Sequence, residues 1–67
     1  MKGLGPKQVA ILTMLRKNKN VTATDVASIY GYETQAISAL KGLEMRGYTR
    51  LKRKRWVPGP KFEEAFD

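Results

Sequence analysis

Residues 33–58 read ETQAISALKGLEMRGYTRLKRKRWVP, and the change of rhythm inside this stretch decides the fold. In its first half Ala36, Leu40 and Leu43 recur at i, i+4 and i+7 with Ile37 on the flank, the spacing of one helix face. Gly47 stops that helix. Beyond it, Tyr48-Thr49-Arg50-Leu51 and Arg55-Trp56-Val57 are rich in β-branched and aromatic residues, with the polar link Lys52-Arg53-Lys54 between them. The pattern predicts a helix over about residues 33–46 and a β-hairpin over about 48–58, although its charged tip lacks the Asn-Gly or Asp-Gly signal of a two-residue turn. Either Thr34 or Glu33 is expected to cap the helix. Gly42 weakens its middle by about 1 kcal/mol relative to alanine, either to let another backbone approach or as a matter of packing.

Upstream, Pro6 suits the first position of a helix, where its missing N–H costs nothing. Val9, Ile11, Leu12 and Leu15 then form an apolar stripe, and Arg16, Lys17 and Lys19 complement the helix dipole at its end. This gives a first helix over about 6–18. Thr22 with Asp25 is a variant capping box, followed by an apolar face of Val26, Ile29 and Tyr30 and stopped by Gly31, hence a second helix over about 23–30. Downstream, Pro58-Gly59-Pro60 breaks the second strand. Phe62, Ala65 and Phe66 mark one side of a short terminal helix over about 60–66, which either caps the core or serves as a homodimer contact through Phe62 and Phe66. The expected class is α+β, mostly α, in a single domain of 67 residues.

A chain this short buries only about 60% of its unfolded surface, so function is expected on the outside. Apolar residues make up 42%, enough for a small core and against wholesale disorder. Thirteen Lys and Arg face six Asp and Glu, a net charge of +7. Lys2, Lys7, Arg16, Lys17 and Lys19 are scattered through the N-terminal part, whereas Arg50 to Arg55 form one dense cluster, and Glu63, Glu64 and Asp67 reverse the sign at the end. A cationic cluster of this density attracts polyanions by Coulomb force and counterion release. The bland alternative is a solvated run that only keeps the protein soluble.

Three helices followed by a basic hairpin is the order of a winged helix-turn-helix. Thr24-Asp25-Val26-Ala27-Ser28-Ile29-Tyr30-Gly31, followed by Ala36 to Tyr48, resembles the helix-turn-helix core of MarR-like and related winged-helix regulators. Leu40-Lys41-Gly42-Leu43-Glu44-Met45-Arg46-Gly47 stands where that superfamily has the Leu-x-x-Leu-Glu-x-x-Gly end of its recognition helix. Leu4-Gly5-Pro6-Lys7-Gln8 resembles the opening of the DNA-binding domain of the SOS repressor. The resemblance covers about residues 6–60 and implies a double-stranded DNA partner.

It carries the groove-facing positions onto Glu33, Thr34, Gln35, Ser38 and Lys41. Their chemistry suits the role: Gln35 can pair bidentately with adenine, Lys41 can reach guanine or a phosphate, and Thr34 and Ser38 can donate to phosphate. Glu33 can accept from cytosine or serve the helix dipole, and Ile37 can meet a thymine methyl or pack. In the hairpin, Arg50, Lys52, Arg53, Lys54 and Arg55 are the candidate phosphate clamp. Strand alternation forbids all five from facing one duplex, which favours Arg53 and Lys54 at the tip with Lys52 and Arg55 in support. Trp56 is either a core anchor or a stacking platform for a base, and Tyr32 a phosphate contact. Tyr48, Met14 and Met45 are expected in packing roles.

Catalysis has little to stand on. Cysteine and histidine are absent, so no thiolate, imidazole or zinc-finger chemistry is available, and no cofactor is implied. Glu33 and Glu44 lie about 16 Å apart along one helix, beyond the reach of a hydrolytic carboxylate pair, and no Gly-x-x-x-x-Gly-Lys loop exists. Apolar runs of four residues are too short for a membrane span or a signal segment, which makes the cytoplasm, and the nucleoid when bound to DNA, the expected location. The expected function is therefore a sequence-preferring DNA binder, a small transcriptional regulator or a phage or plasmid accessory factor. The alternatives are a winged-helix module for an acidic protein partner, and an RNA or single-strand binder that stacks bases on Trp56 and Tyr32.

Overall fold

A computed structural model describes residues 3–67; Lys2 lies outside the described residues. Three α-helices, α1 (Pro6–Asn18), α2 (Ala23–Tyr30) and α3 (Glu33–Met45), precede an antiparallel hairpin of β1 (Thr49–Lys52) and β2 (Arg55–Pro58). The order is compatible with a winged helix-turn-helix layout. The terminal segment Phe62–Phe66 is a 3-10 helix, shorter and tighter than the helix expected over 60–66. The turn after Pro60 makes i→i+3 bonds, Phe62 N–H to Gly59 O and Glu64 N–H to Lys61 O, and no α-helical ladder develops from them. Among the described residues no helix is long and apolar enough to cross a membrane.

Local chemistry sets the helix ends. At α2, Asp25 N–H donates to Thr22 Oγ1 at 3.2 Å while Thr22 N–H donates to Asp25 Oδ2 at 2.9 Å, the reciprocal box the sequence announces. Gly31 closes α2 at φ +88°, a left-handed value natural to glycine. Neither Thr34 nor Glu33 caps α3. Gly31 and the extended Tyr32 complete the turn, so Tyr32 takes the cap position without a side-chain bond and Glu33 is already helical. Its charge there complements the positive end of the helix.

The core joins Ile11, Leu12 and Leu15 of α1, Val26 of α2, Ala36, Leu40 and Leu43 of α3, and Trp56, Phe62 and Ala65, all buried. Val21, between α1 and α2, belongs to it as well. Its N–H donates to Trp56 O at 2.9 Å and its carbonyl accepts from Trp56 N–H at 2.7 Å, so it adds a one-residue rung to the free side of β2. On the other side β1 is fastened to α3: Thr49 Oγ1 donates to Leu40 O at 2.9 Å in a buried bond, and Leu51 N–H donates to Glu44 Oε2 at 3.3 Å.

Two glycines behave differently from each other. Gly42 is exposed, and a Cβ there would meet nothing within 4 Å, so neither a close backbone nor packing inside the chain accounts for it. A Cβ on Gly59 would lie 2.5 Å from Gly47 O and 2.8 Å from Thr49 O, backbone atoms that cannot step aside. In urea titrations Gly42→Ala should raise the unfolding free energy by about 1 kcal/mol, and Gly59→Ala should lower it by about 1–3 kcal/mol. Equal effects of the two substitutions would contradict this packing.

Candidate nucleic-acid interface

The hairpin's register sorts its cations. Thr49 pairs with Pro58, Arg50 with Val57, Leu51 with Trp56 and Lys52 with Arg55, and antiparallel partners share a face. Thr49 and Trp56 are buried, so their face is the inner one, and Arg50, Lys52, Arg55 and Val57 occupy the outer one. Arg50 thus shares one face of the hairpin with Lys52 and Arg55. Arg53 (φ +50°) and Lys54 (φ +67°) form the tip, both in left-handed backbone, the combination that matches a two-residue turn to the strands' twist.

On α3, Thr34, Ser38, Lys41 and Met45 fall at i, i+4, i+7 and i+11 and form one exposed stripe, with Gln35 and Gly42 exposed beside it. Glu33 is exposed at the first turn, and Ile37 is half-buried on the flank. The hairpin lies against α3. Helix and hairpin each bury one face in the same core, and the Thr49–Leu40 and Leu51–Glu44 bonds hold the edge of β1 against the C-terminal half of α3.

Electrostatics leaves this surface positive. The one ion pair among the described residues is Arg16 with Glu63, which involves no hairpin cation. Glu44 is turned to the Leu51 amide and Asp25 to the Thr22 amide. Among the described residues, Arg55 is the one hairpin cation whose side chain has a hydrogen-bond partner, donating to Asn20 Oδ1 at 2.9 Å. That partner is neutral, so the charge of Arg55 is kept.

Sequence reasoning passed over Lys7 and Tyr30. With Thr34, Gln35, Ser38 and Ala39 they line an open groove of about 550 Å³ beside the N-terminal half of α3. The Lys7 Nζ lies 5.1 Å from the centroid of the Tyr30 ring. Burial pushes the Tyr30 hydroxyl above its ordinary pKa of 10.0, so it remains a donor. No periodic signal joins position 7 to position 35; only the packing of α1 beside α2 and α3 does.

Burial decides between several other expectations. Trp56 is 4% exposed, held by Val21 and turned inward, so it is a core anchor and offers no platform for a base. Tyr32, 68% exposed, remains open to a phosphate. Met45 is 90% exposed, not packed, because it falls on the outer stripe of α3. Tyr48 is half-buried beneath the Arg46 guanidinium, 5.1 Å from its ring, while Arg46 also donates to Gly3 O at 3.2 Å. Phe62 is buried in the core. Phe66 is half-buried with the Arg16 guanidinium 3.8 Å from its ring centroid, which ties the terminal segment to α1.

Compared with family models, curated proteins and solved structures, the chain matches none. The class defined by fold and site is thus a small α+β domain with a cationic hairpin fastened beside a polar helix face. The fastening is open to test. Thr49→Val, which keeps the shape and deletes the buried hydroxyl, should lower the unfolding free energy by about 1 kcal/mol in urea titrations. It should also speed amide exchange across residues 49–58, and unchanged values for both would show that the bond does not hold the hairpin.

Proposed function

We propose that the chain is a winged helix-turn-helix protein that binds double-stranded DNA with a preference for sequence, as a small transcriptional regulator or a phage or plasmid accessory factor. α3 enters the major groove, and the hairpin takes the flanking phosphates or the minor groove. The observation that carries this reading is the seam between α3 and β1, which joins the helix bearing hydrogen-bonding side chains to a strand of cations that form no ion pair among the described residues.

The division of labour follows from the chemistry. Arg50, Lys52, Arg53, Lys54 and Arg55 supply affinity by displacing counterions, without regard to sequence. Thr34, Gln35, Ser38 and Lys41 meet base edges, where Gln35 has the bidentate geometry for adenine. Lys7, beside the N-terminal half of α3, suits the phosphates of the groove wall there, and Tyr32 suits a phosphate at the start of α3.

A second reading rests on Met45 and Leu51, which are 90% and 48% exposed beside the cations: an acidic protein partner with apolar side chains would fit both. One titration separates the two. Labelled duplex, single strand and RNA are compared by fluorescence anisotropy at several salt concentrations. The DNA reading expects the duplex to bind tightest, with log K falling against log salt by about 0.9 per neutralised phosphate. Arg53→Ala with Lys54→Ala should weaken all duplexes alike and flatten that slope, whereas Gln35→Ala should mainly relax base preference. No binding to any of the three would overturn the DNA reading and leave the acidic partner.

A further inference from the structure

Three non-glycine residues among those described have positive φ: Lys19 (+72°), Arg53 (+50°) and Lys54 (+67°). All three are cations. Such backbone suits glycine or asparagine; in other residues Cβ crowds the following carbonyl oxygen. Arg53 and Lys54 already belong to the proposed DNA surface. Lys19 lies in the turn between α1 and α2, outside it.

The structure joins that turn to the hairpin. The paired hydrogen bonds of Val21 and Trp56 dock it on the free side of β2, and Asn20 receives the Arg55 guanidinium at 2.9 Å. The outer face carrying Arg50, Lys52 and Arg55 therefore runs on across the sheet to Asn20, and Lys19, which is exposed, precedes Asn20 in the turn. Two strand spacings, roughly 10 Å, separate β1 from the turn. Over such a length a duplex presents about six phosphate charges.

We infer that Lys19 is a third contact to the duplex backbone, continuous with the hairpin, and that all three positions keep a cation at the expense of fold stability. The inference rests on the DNA reading above and extends its surface to a segment that carries no recognition-helix or hairpin residue. An ordinary turn would place glycine or asparagine at these positions; strain retained three times on exposed cations points to a ligand that needs the charge.

The test uses the whole chain and four proteins: wild type, K19G, K19Q and R53N/K54G. Thermal unfolding is followed by circular dichroism, and binding by anisotropy with a labelled duplex over a range of salt. K19G relieves the strain and removes the charge, so its Tm should rise by roughly 4–8 °C, and its slope of log K against log salt should flatten by about 0.9. K19Q keeps the strain and removes the charge, so the slope should flatten equally without a rise in Tm. R53N/K54G should raise Tm and flatten the slope by about 1.8. If wild type binds duplex and both Lys19 variants bind with its affinity and slope, Lys19 is not a contact and the inference falls while the DNA reading stands. A K19G Tm at or below that of wild type overturns the strain argument. Absence of duplex binding by wild type overturns the DNA reading and the inference with it.

Discussion

The buried hydrogen bond from the Thr49 hydroxyl to the Leu40 carbonyl is the constraint on which the rest of the molecule turns. A two-stranded hairpin has marginal stability in water on its own. Here it is clamped on both sides, by α3 through Thr49 and Glu44 and by Val21 through Trp56. Trp56 then contributes the largest buried side chain of the hairpin to the core, and Gly59 lets the following segment lie against the backbone of residues 47–49. The cationic strand is thus held as one body with the helix beside it. Without that clamp the same charges would sit on a flexible ribbon, and any polyanion would have to order it on binding.

Stability is distributed accordingly. A core as small as this one leaves little surplus, yet the chain places three left-handed cations in two turns and an exposed glycine in the middle of α3. Each departs from what folding alone prefers, and each lies on the α3 stripe, on the hairpin, or on the turn that the Asn20–Arg55 bond joins to it. The opposite tendency rules at the C-terminus. Arg16, Phe62, Phe66 and Glu63 form one interlocked cluster, in which the guanidinium covers an aromatic ring and meets a carboxylate. Conflicts between local preference and global fold collect where a ligand is expected, and consistency rules elsewhere.

Much of this was legible in the sequence because the signals were periodic or local. The stripes of α1 and α3, the Thr22–Asp25 box and the Gly31 stop are read within one or two helical turns, and α1, α2 and the hairpin fall where their residues indicate. What escaped depends on contacts distant along the chain. Val21 is a single residue with no pattern of its own, and its role exists only through Trp56. The seating of Trp56 follows from that rung, so the choice between anchor and platform stayed open until the register was known. Met45 was read as packing from its residue type, whereas its place on the outer stripe exposes it. The same holds for the site. Strand alternation announced that the hairpin cations divide between faces, but only the register, with Thr49 and Trp56 inside, put Arg50, Lys52 and Arg55 together. Lys7 and Lys19 reach the surface through packing of α1 and of the turn after it, which no spacing encodes.

The central claim is that the outer stripe of α3 and the outer face of the hairpin act as a single surface for a duplex. Chemical-shift mapping of the ¹⁵N-labelled chain during titration with a duplex oligonucleotide tests it most directly. The account predicts that amides of residues 34–45 and 50–55 shift together along one binding curve, while those of 62–66 stay in place. Shifts confined to one of the two elements, or centred on the terminal 3-10 helix, would contradict it.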